Sequence, residues 1–210
     1  MTSRLELYNG ALAHLSTIRL ADLTENRSER FELDAVYDKV LAGCLASGGW
    51  KFAKRTVRLD YDTDVEPVLG KPYTFAFPTD FCRLMGLWEN SDLSVEAAFD
   101  QEQQQWFCDV PTIYVAYVSN DASYGMDLGA WPPSFTEYVE TSLASRSAIP
   151  VTKDRGTRND LIVLTRQNLA TAKKYDAIGE AVKQKPVGRL VRSRMGNAAT
   201  PTFRNGMIRR

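Results

Sequence analysis

One histidine and three cysteines are all the imidazole and thiol side chains that this 210-residue chain offers for metal binding or nucleophilic catalysis. Cys44, Cys82 and Cys108 are odd in number and widely spaced. That spacing indicates neither a disulfide framework nor a Cys-x-x-Cys metal site, and the expectation is three reduced core thiols. His14 falls inside a predicted helix without Cys or Asp at ligand spacing and reads as a structural residue. A Ser-His-Asp arrangement would rest on it alone, with no Gly-x-Ser-x-Gly element in support. Neither Gly-x-x-x-x-Gly-Lys nor Gly-x-Gly-x-x-Gly occurs, so nucleotide binding has no local signal. No apolar run approaches the roughly 18 residues of a membrane span, and the N-terminus lacks the apolar core of a secretory signal. The expectation is a protein made in a cytoplasm, away from membranes, with no catalytic residue, metal or cofactor assigned.

Acidic residues are missing from one end. The last is Glu180, and residues 183–210 carry Lys183, Lys185, Arg189, Arg192, Arg194, Arg204, Arg209 and Arg210. The remaining 18 of 26 cations share residues 1–182 with all 26 anions, so a body of net charge −8 precedes a basic arm. Composition is otherwise that of a globular protein, 44% hydrophobic and 25% charged.

What is present is organised around residues 41–61, where the apolar period changes. Val36, Val40, Leu41, Cys44 and Leu45 keep a helical spacing, Gly48-Gly49 is expected to close that helix in a left-handed conformation, and Val57, Leu59 and Tyr61 alternate as a strand does. Trp50 and Phe52 at the joint are expected between a helical and a sheet layer. Upstream, Leu5, Tyr8, Leu12 and Leu15 predict a helix over about 3–15, capped by Thr2 or Ser3. A second helix opens at Asn26 or Ser28, with Phe31, Leu33, Val36, Val40 and Leu41 on its apolar face. Such a hairpin cannot bury its stripe alone.

Residues 51–130 read as β: Thr56–Tyr61, the alternation Tyr73, Phe75, Phe77, then Cys82–Trp88, Val95–Phe99, Gln105–Phe107 and the strongest, Ile113–Val118. Together they suggest a small antiparallel sandwich or barrel. Gln101–Gln105 reads as a polar turn or helix surface. At Trp131-Pro-Pro-Ser-Phe135 the helical period returns, with Ser134 as a cap, a stripe of Phe135, Tyr138, Val139, Ser142 and Leu143, and Pro150 as its end. Thr152 can cap a fourth helix with Leu161, Leu164, Asn168, Leu169, Ala172 and Tyr175 on its stripe. The fold class is therefore α+β: a discontinuous four-helix bundle (1–50 and 131–182), an inserted small antiparallel β module (51–130) and an extended C-terminal arm (183–210).

Two features can carry function. Glu25, Glu29 and Glu32, or Asp60, Asp62, Asp64 and Glu66, can supply a carboxylate pair for glycan hydrolysis, although such spacing usually marks a solvated face. In the arm, Arg189, Leu190, Arg192, Arg194, Met195, Phe203, Arg204, Met207, Arg209 and Arg210 mix cations with apolar groups. That mixture favours docking on another protein over phosphate contacts, since Phe203 is the arm's sole aromatic for stacking, and over a purely solubilising extension.

The motif order resembles the tail tubular protein A family of short-tailed phages, the head-to-tail adaptors. The resemblance rests on Leu7-Tyr-Asn-Gly-Ala-Leu-Ala-His-Leu15 with Arg19-Leu20, on Glu25, Arg30 and Tyr37, and on Trp50-Lys-Phe-Ala53. Phe77-Pro-Thr-Asp-Phe-Cys-Arg-Leu84, Trp131-Pro-Pro-Ser-Phe135 and Leu143-Ala144 complete it, over roughly residues 5–180. It implies a virion protein, assembled in the host cytoplasm, that forms a dodecameric ring. That ring would join the portal protein to a tail nozzle protein of the tail tubular protein B type, with double-stranded DNA passing through without sequence specificity. It also implies that the C-terminal arm embraces the portal. Glycan hydrolysis and DNA-binding accessory function stand as alternatives.

Overall fold

A computed structural model of the chain describes residues 2–65 and 70–178; the portal-docking residues from Arg189 to Arg210 expected above lie outside them. The described fold is α+β, with helices before and after two small antiparallel sheets.

Helix α1 (Arg4–His14) opens on Ser3, whose hydroxyl accepts from the Glu6 N–H at 3.2 Å while the Glu6 carboxylate accepts from the Ser3 N–H at 2.8 Å. This reciprocal box satisfies two N–H groups that the helix start leaves without partners. Leu7, Tyr8, Ala11 and Leu12 form its buried face. Helix α2 (Ser28–Ala46) buries Leu33, Tyr37, Val40, Leu41, Cys44 and Leu45. Phe31, expected on that face, is 49% exposed and lies under the Arg30 guanidinium at 4.2 Å.

The joint after α2 differs from expectation in mechanism. Neither Gly48 nor Gly49 has a positive φ; the helix closes on Ser47, whose hydroxyl donates to the Cys44 carbonyl at 2.6 Å. The Trp50 indole N–H donates to the same carbonyl at 2.9 Å, folding the ring back over the chain. A Cβ on Gly48 would stand 2.8 Å from that ring, so glycine is required here by close approach and not by backbone hand. Trp50 is 1% exposed and meets Phe135 edge-on at 4.8 Å, which places it among the helices as the chain turns into the sheet. Phe52 meets the same Phe135 ring at 4.7 Å, tilted by 55°.

Strands β1 (Lys54–Asp60), β3 (Phe81–Trp88) and β6 (Thr112–Ser119) form one sheet in the order β1-β6-β3; β2 (Tyr73–Ala76), β4 (Phe99–Glu102) and β5 (Gln105–Cys108) form the other in the order β2-β5-β4. Ile113–Val118, central in its sheet, is almost wholly buried. Val57, Leu59, Leu84, Leu87, Ile113, Val115 and Tyr117 of one sheet share a core with Phe75, Trp106 and Cys108 of the other. The strand expected over Val95–Phe99 starts only at its last residue: Glu96 makes an isolated bridge to Trp88, and the strand runs over Phe99–Glu102. Of the two readings of Gln101–Gln105 the polar turn holds and the helix surface does not: Glu102 pairs with Gln105 across a hairpin, and Gln103 and Gln104 turn the chain at φ of 45° and 64°.

Helix α3 (Pro133–Thr152) starts without a side-chain cap. Pro132 and Pro133 preset the backbone there, and Ser134, the expected cap, is already inside. Pro150 does not end it. A proline in the last turn removes one intrahelical bond, and the helix runs on to Thr152, whose hydroxyl donates to Ala148 at 2.7 Å. Lys153 then turns left-handed at φ 57°, and Asp154, not Thr152, caps α4 (Arg155–Ile178). Its carboxylate accepts from the Gly156 and Thr157 N–H groups at 2.9 Å each. Leu161 and Ala172 are buried, Leu164 and Leu169 partly so, and Tyr175, expected on the stripe, is 62% exposed. Helix α3 packs against α1, α2 and α4 alike, so it supplies the partner that the first hairpin lacked.

Candidate functional site

The residues that carry the family resemblance converge on structural pins. The Asn9 side chain donates to the Leu20 carbonyl at 3.0 Å and accepts from the Leu20 N–H at 2.7 Å, which fastens the loop between α1 and α2. Asp34 of α2 accepts from the Tyr8 hydroxyl at 2.6 Å and from Arg4 and Arg30 at 2.7 Å each, and the Arg4 guanidinium also covers the Tyr37 ring at 4.3 Å. Burial, with the hydrogen bond to Asp34, pushes the Tyr8 hydroxyl well above its usual range, so it stays a donor. Asp80, at the head of β3, accepts from Arg55 at 2.8 Å, from Tyr117 at 2.9 Å and from Ser119, tying β1, β3 and β6 together. Burial works against its charge, yet the bonds from Ser119, Arg55 and Tyr117 outweigh it and hold the carboxyl below the usual range.

Of the acids considered for glycan hydrolysis, Glu25, Glu29, Asp60 and Asp62 are engaged locally. Glu25 accepts from the Ala21 and Asp22 N–H groups, and Arg27 lies 3.1 Å from Glu29 and 3.8 Å from Glu25. Asp60 accepts from Thr112 at 2.8 Å and from Arg58 at 2.9 Å, bonds that lower its pKa. Asp62 accepts from the Asp64 N–H at 2.9 Å, and Glu66 lies outside the described residues. The thiols at Cys44, Cys82 and Cys108 are unpaired, and burial raises each of them, Cys108 to about 11. Among the described residues no group of three His, Cys, Asp or Glu converges to hold a metal, and no helix is long and apolar enough to cross a membrane.

A cleft of about 500 Å³ opens between α2, α3 and α4. Its floor is apolar, from Val40, Cys44, Tyr138 and Leu169, and its rim carries Lys39, Arg146, Arg158 and Arg166. All four cations are exposed, and among the described residues no acid lines the cleft and none of the four has a carboxylate within ion-pair distance. The cleft exists because α3 faces it with small residues. Ser142 and Ser145 hold no bulk there and return their hydroxyl protons to carbonyls of their own helix at 2.7 and 2.9 Å. A body of net negative charge therefore carries a concentrated positive patch of opposite sign.

On another face of α3 the charge reverses. Glu140 stands over Gly10 of α1, where a Cβ would fall 2.2 Å from its carboxyl carbon. Burial pushes Glu140 up to about 7, with the charges of Glu137 and Glu6 adding to the rise. Glu140 and Ser142 are two residues apart, about 200° around the helix, so acid edge and basic cleft look in nearly opposite directions. Neither patch was legible in sequence, because each is assembled from helices distant along the chain.

No protein-family model matches the chain, and no curated protein matches it significantly.

Proposed function

We propose that this chain is the head-to-tail adaptor of a short-tailed phage virion: a dodecameric ring that joins the portal protein to the tail nozzle protein and lines the channel through which double-stranded DNA leaves. The observation that carries the reading is the division of charge, a body of net −8 followed by eight cations without an anion, in a chain whose motifs follow the adaptor order. We also read the four helices as one bundle, with the β module inserted between its halves. The packing of α3 against the other three supports this.

In this mechanism each arm is a weak clamp with Arg189, Arg192, Arg194 and Arg204 as its charged contacts and Leu190, Met195, Phe203 and Met207 as its apolar ones. Arms held together by one ring bind as a multivalent set, so each contact need contribute only a few kcal/mol. The net negative body discourages DNA from sticking as it passes.

The test is negative-stain imaging of purified portal rings with the full chain and with a chain ending at Val182. The full chain is expected to cap the rings; the shortened chain is expected to keep its circular dichroism spectrum and melting point and to leave the rings bare. Equal capping by both would overturn the reading.

A further inference from the structure

The cleft and the acid edge are each electrostatically incomplete within the described chain. Lys39, Arg146, Arg158 and Arg166 crowd one rim without an acid, while Glu6, Glu137 and Glu140 meet across α1 and α3 with no cation in ion-pair range among the described residues. Like charges held together raise the energy of the free molecule, and a partner of opposite charge lowers it. The chain's own arm is no candidate for the cleft, since it too is cationic. A surface carrying both signs on opposite sides of one helix is complementary to a second copy of itself.

We propose that the basic cleft between α2, α3 and α4 of one copy receives the Glu6–Glu137–Glu140 edge of the next copy, making a head-to-tail contact between copies of this chain. Such a contact joins two different patches, so it leaves an unused cleft at one end and an unused edge at the other and continues until rotation closes it. The rim arginines pair the exposed Glu6 and Glu137 of the incoming edge above the apolar floor of Val40, Cys44, Tyr138 and Leu169, while Glu140 stays half-buried behind them against Gly10. The inference rests on the adaptor reading only in supplying a use for the closed ring; its charges and geometry stand without it.

Sedimentation velocity of the full chain at roughly 0.05 and 0.5 M salt tests it, because screening separates charge-driven association from apolar association. Association at low salt that weakens at high salt is expected. Two variants, Arg146→Glu with Arg158→Glu, and Glu6→Lys with Glu137→Lys, change exposed residues, and each is expected to weaken association about tenfold or more. Mixed in equal amounts they are expected to associate again, because each reversed cleft then meets a reversed edge. Glu137→Arg alone serves if the double edge variant loses its circular dichroism spectrum. A wild-type chain that stays monomeric at both salts overturns the proposal, as does a mixture that fails to recover. So does a cleft whose reversal abolishes duplex DNA binding and leaves self-association intact. Failure of the adaptor reading is scored separately: association without portal capping sinks that reading alone, and capping by a chain that does not associate sinks this contact alone.

Discussion

Glu140 is a carboxyl whose proton is held more tightly in the folded chain, at about 7, than in the unfolded one, at 4.5. Its contribution to stability is therefore complete below about pH 4.5 and is lost as pH rises through 7. Glu140→Gln is expected to melt like the parent near pH 4 and to be more stable at pH 8. The gain is about 1–2 kcal/mol once the half exposure of the site is allowed for. Thermal melts of both proteins at the two pH values check this. Asp80 behaves with the opposite sign. Held below 3.8, it stabilises the fold above that range and ceases to as pH falls through its lowered value. Asp80→Asn keeps the size but breaks bonds to Arg55, Tyr117 and Ser119, with an expected cost of about 2–3 kcal/mol in a urea titration. Thr74 is 1% exposed and its hydroxyl has no partner among the described residues, so Thr74→Val is expected to raise stability by about 1 kcal/mol, read in the same titration.

At the scale of elements, the β4–β5 hairpin places two glutamines in the left-handed region, where L residues with a Cβ are strained. Replacing Gln103-Gln104 by Asn-Gly, the pair that such a turn favours, is expected to stabilise the protein by about 1–2 kcal/mol, measured by its melting temperature. This turn also shows where sequence reading runs short: five polar residues carry no period, and nothing in their chemistry announces a positive φ. A run of β-branched and aromatic residues, as in Ile113–Val118, and helical stripes such as Tyr8, Leu12 and Leu15 were legible because burial follows residue type there. Helix α3 was legible only in part. Thr141, Ser145 and Ser147 are polar by name yet buried, each satisfied by a carbonyl of its own helix, and only the packed structure exposes that role. Asp34 escaped notice for a related reason, since an acid on a helix reads as solvated until Tyr8, Arg4 and Arg30 are seen around it.

At the scale of the molecule, the division of charge was visible at once in the sequence, whereas the opposite-signed faces of α3 needed three dimensions. A clamp built on cationic arms predicts that portal capping weakens with salt: capping measured by imaging is expected to fall steeply between about 0.05 and 0.5 M. The Lys51 N–H donates to the Asp176 carboxylate at 3.0 Å and the Lys51 ammonium to the Asp176 carbonyl, across 125 residues of sequence. Asp176 lies two residues before the end of α4, so a force drawing on the chain beyond Ile178 reaches Lys51 before it can peel the last helix turn by turn. Lys51 neighbours Trp50, the most enclosed ring at the helix–sheet joint. A pull on the terminus is thereby passed to the joint between helices and sheet, where both bonds to Lys51 have to break before α4 unwinds further.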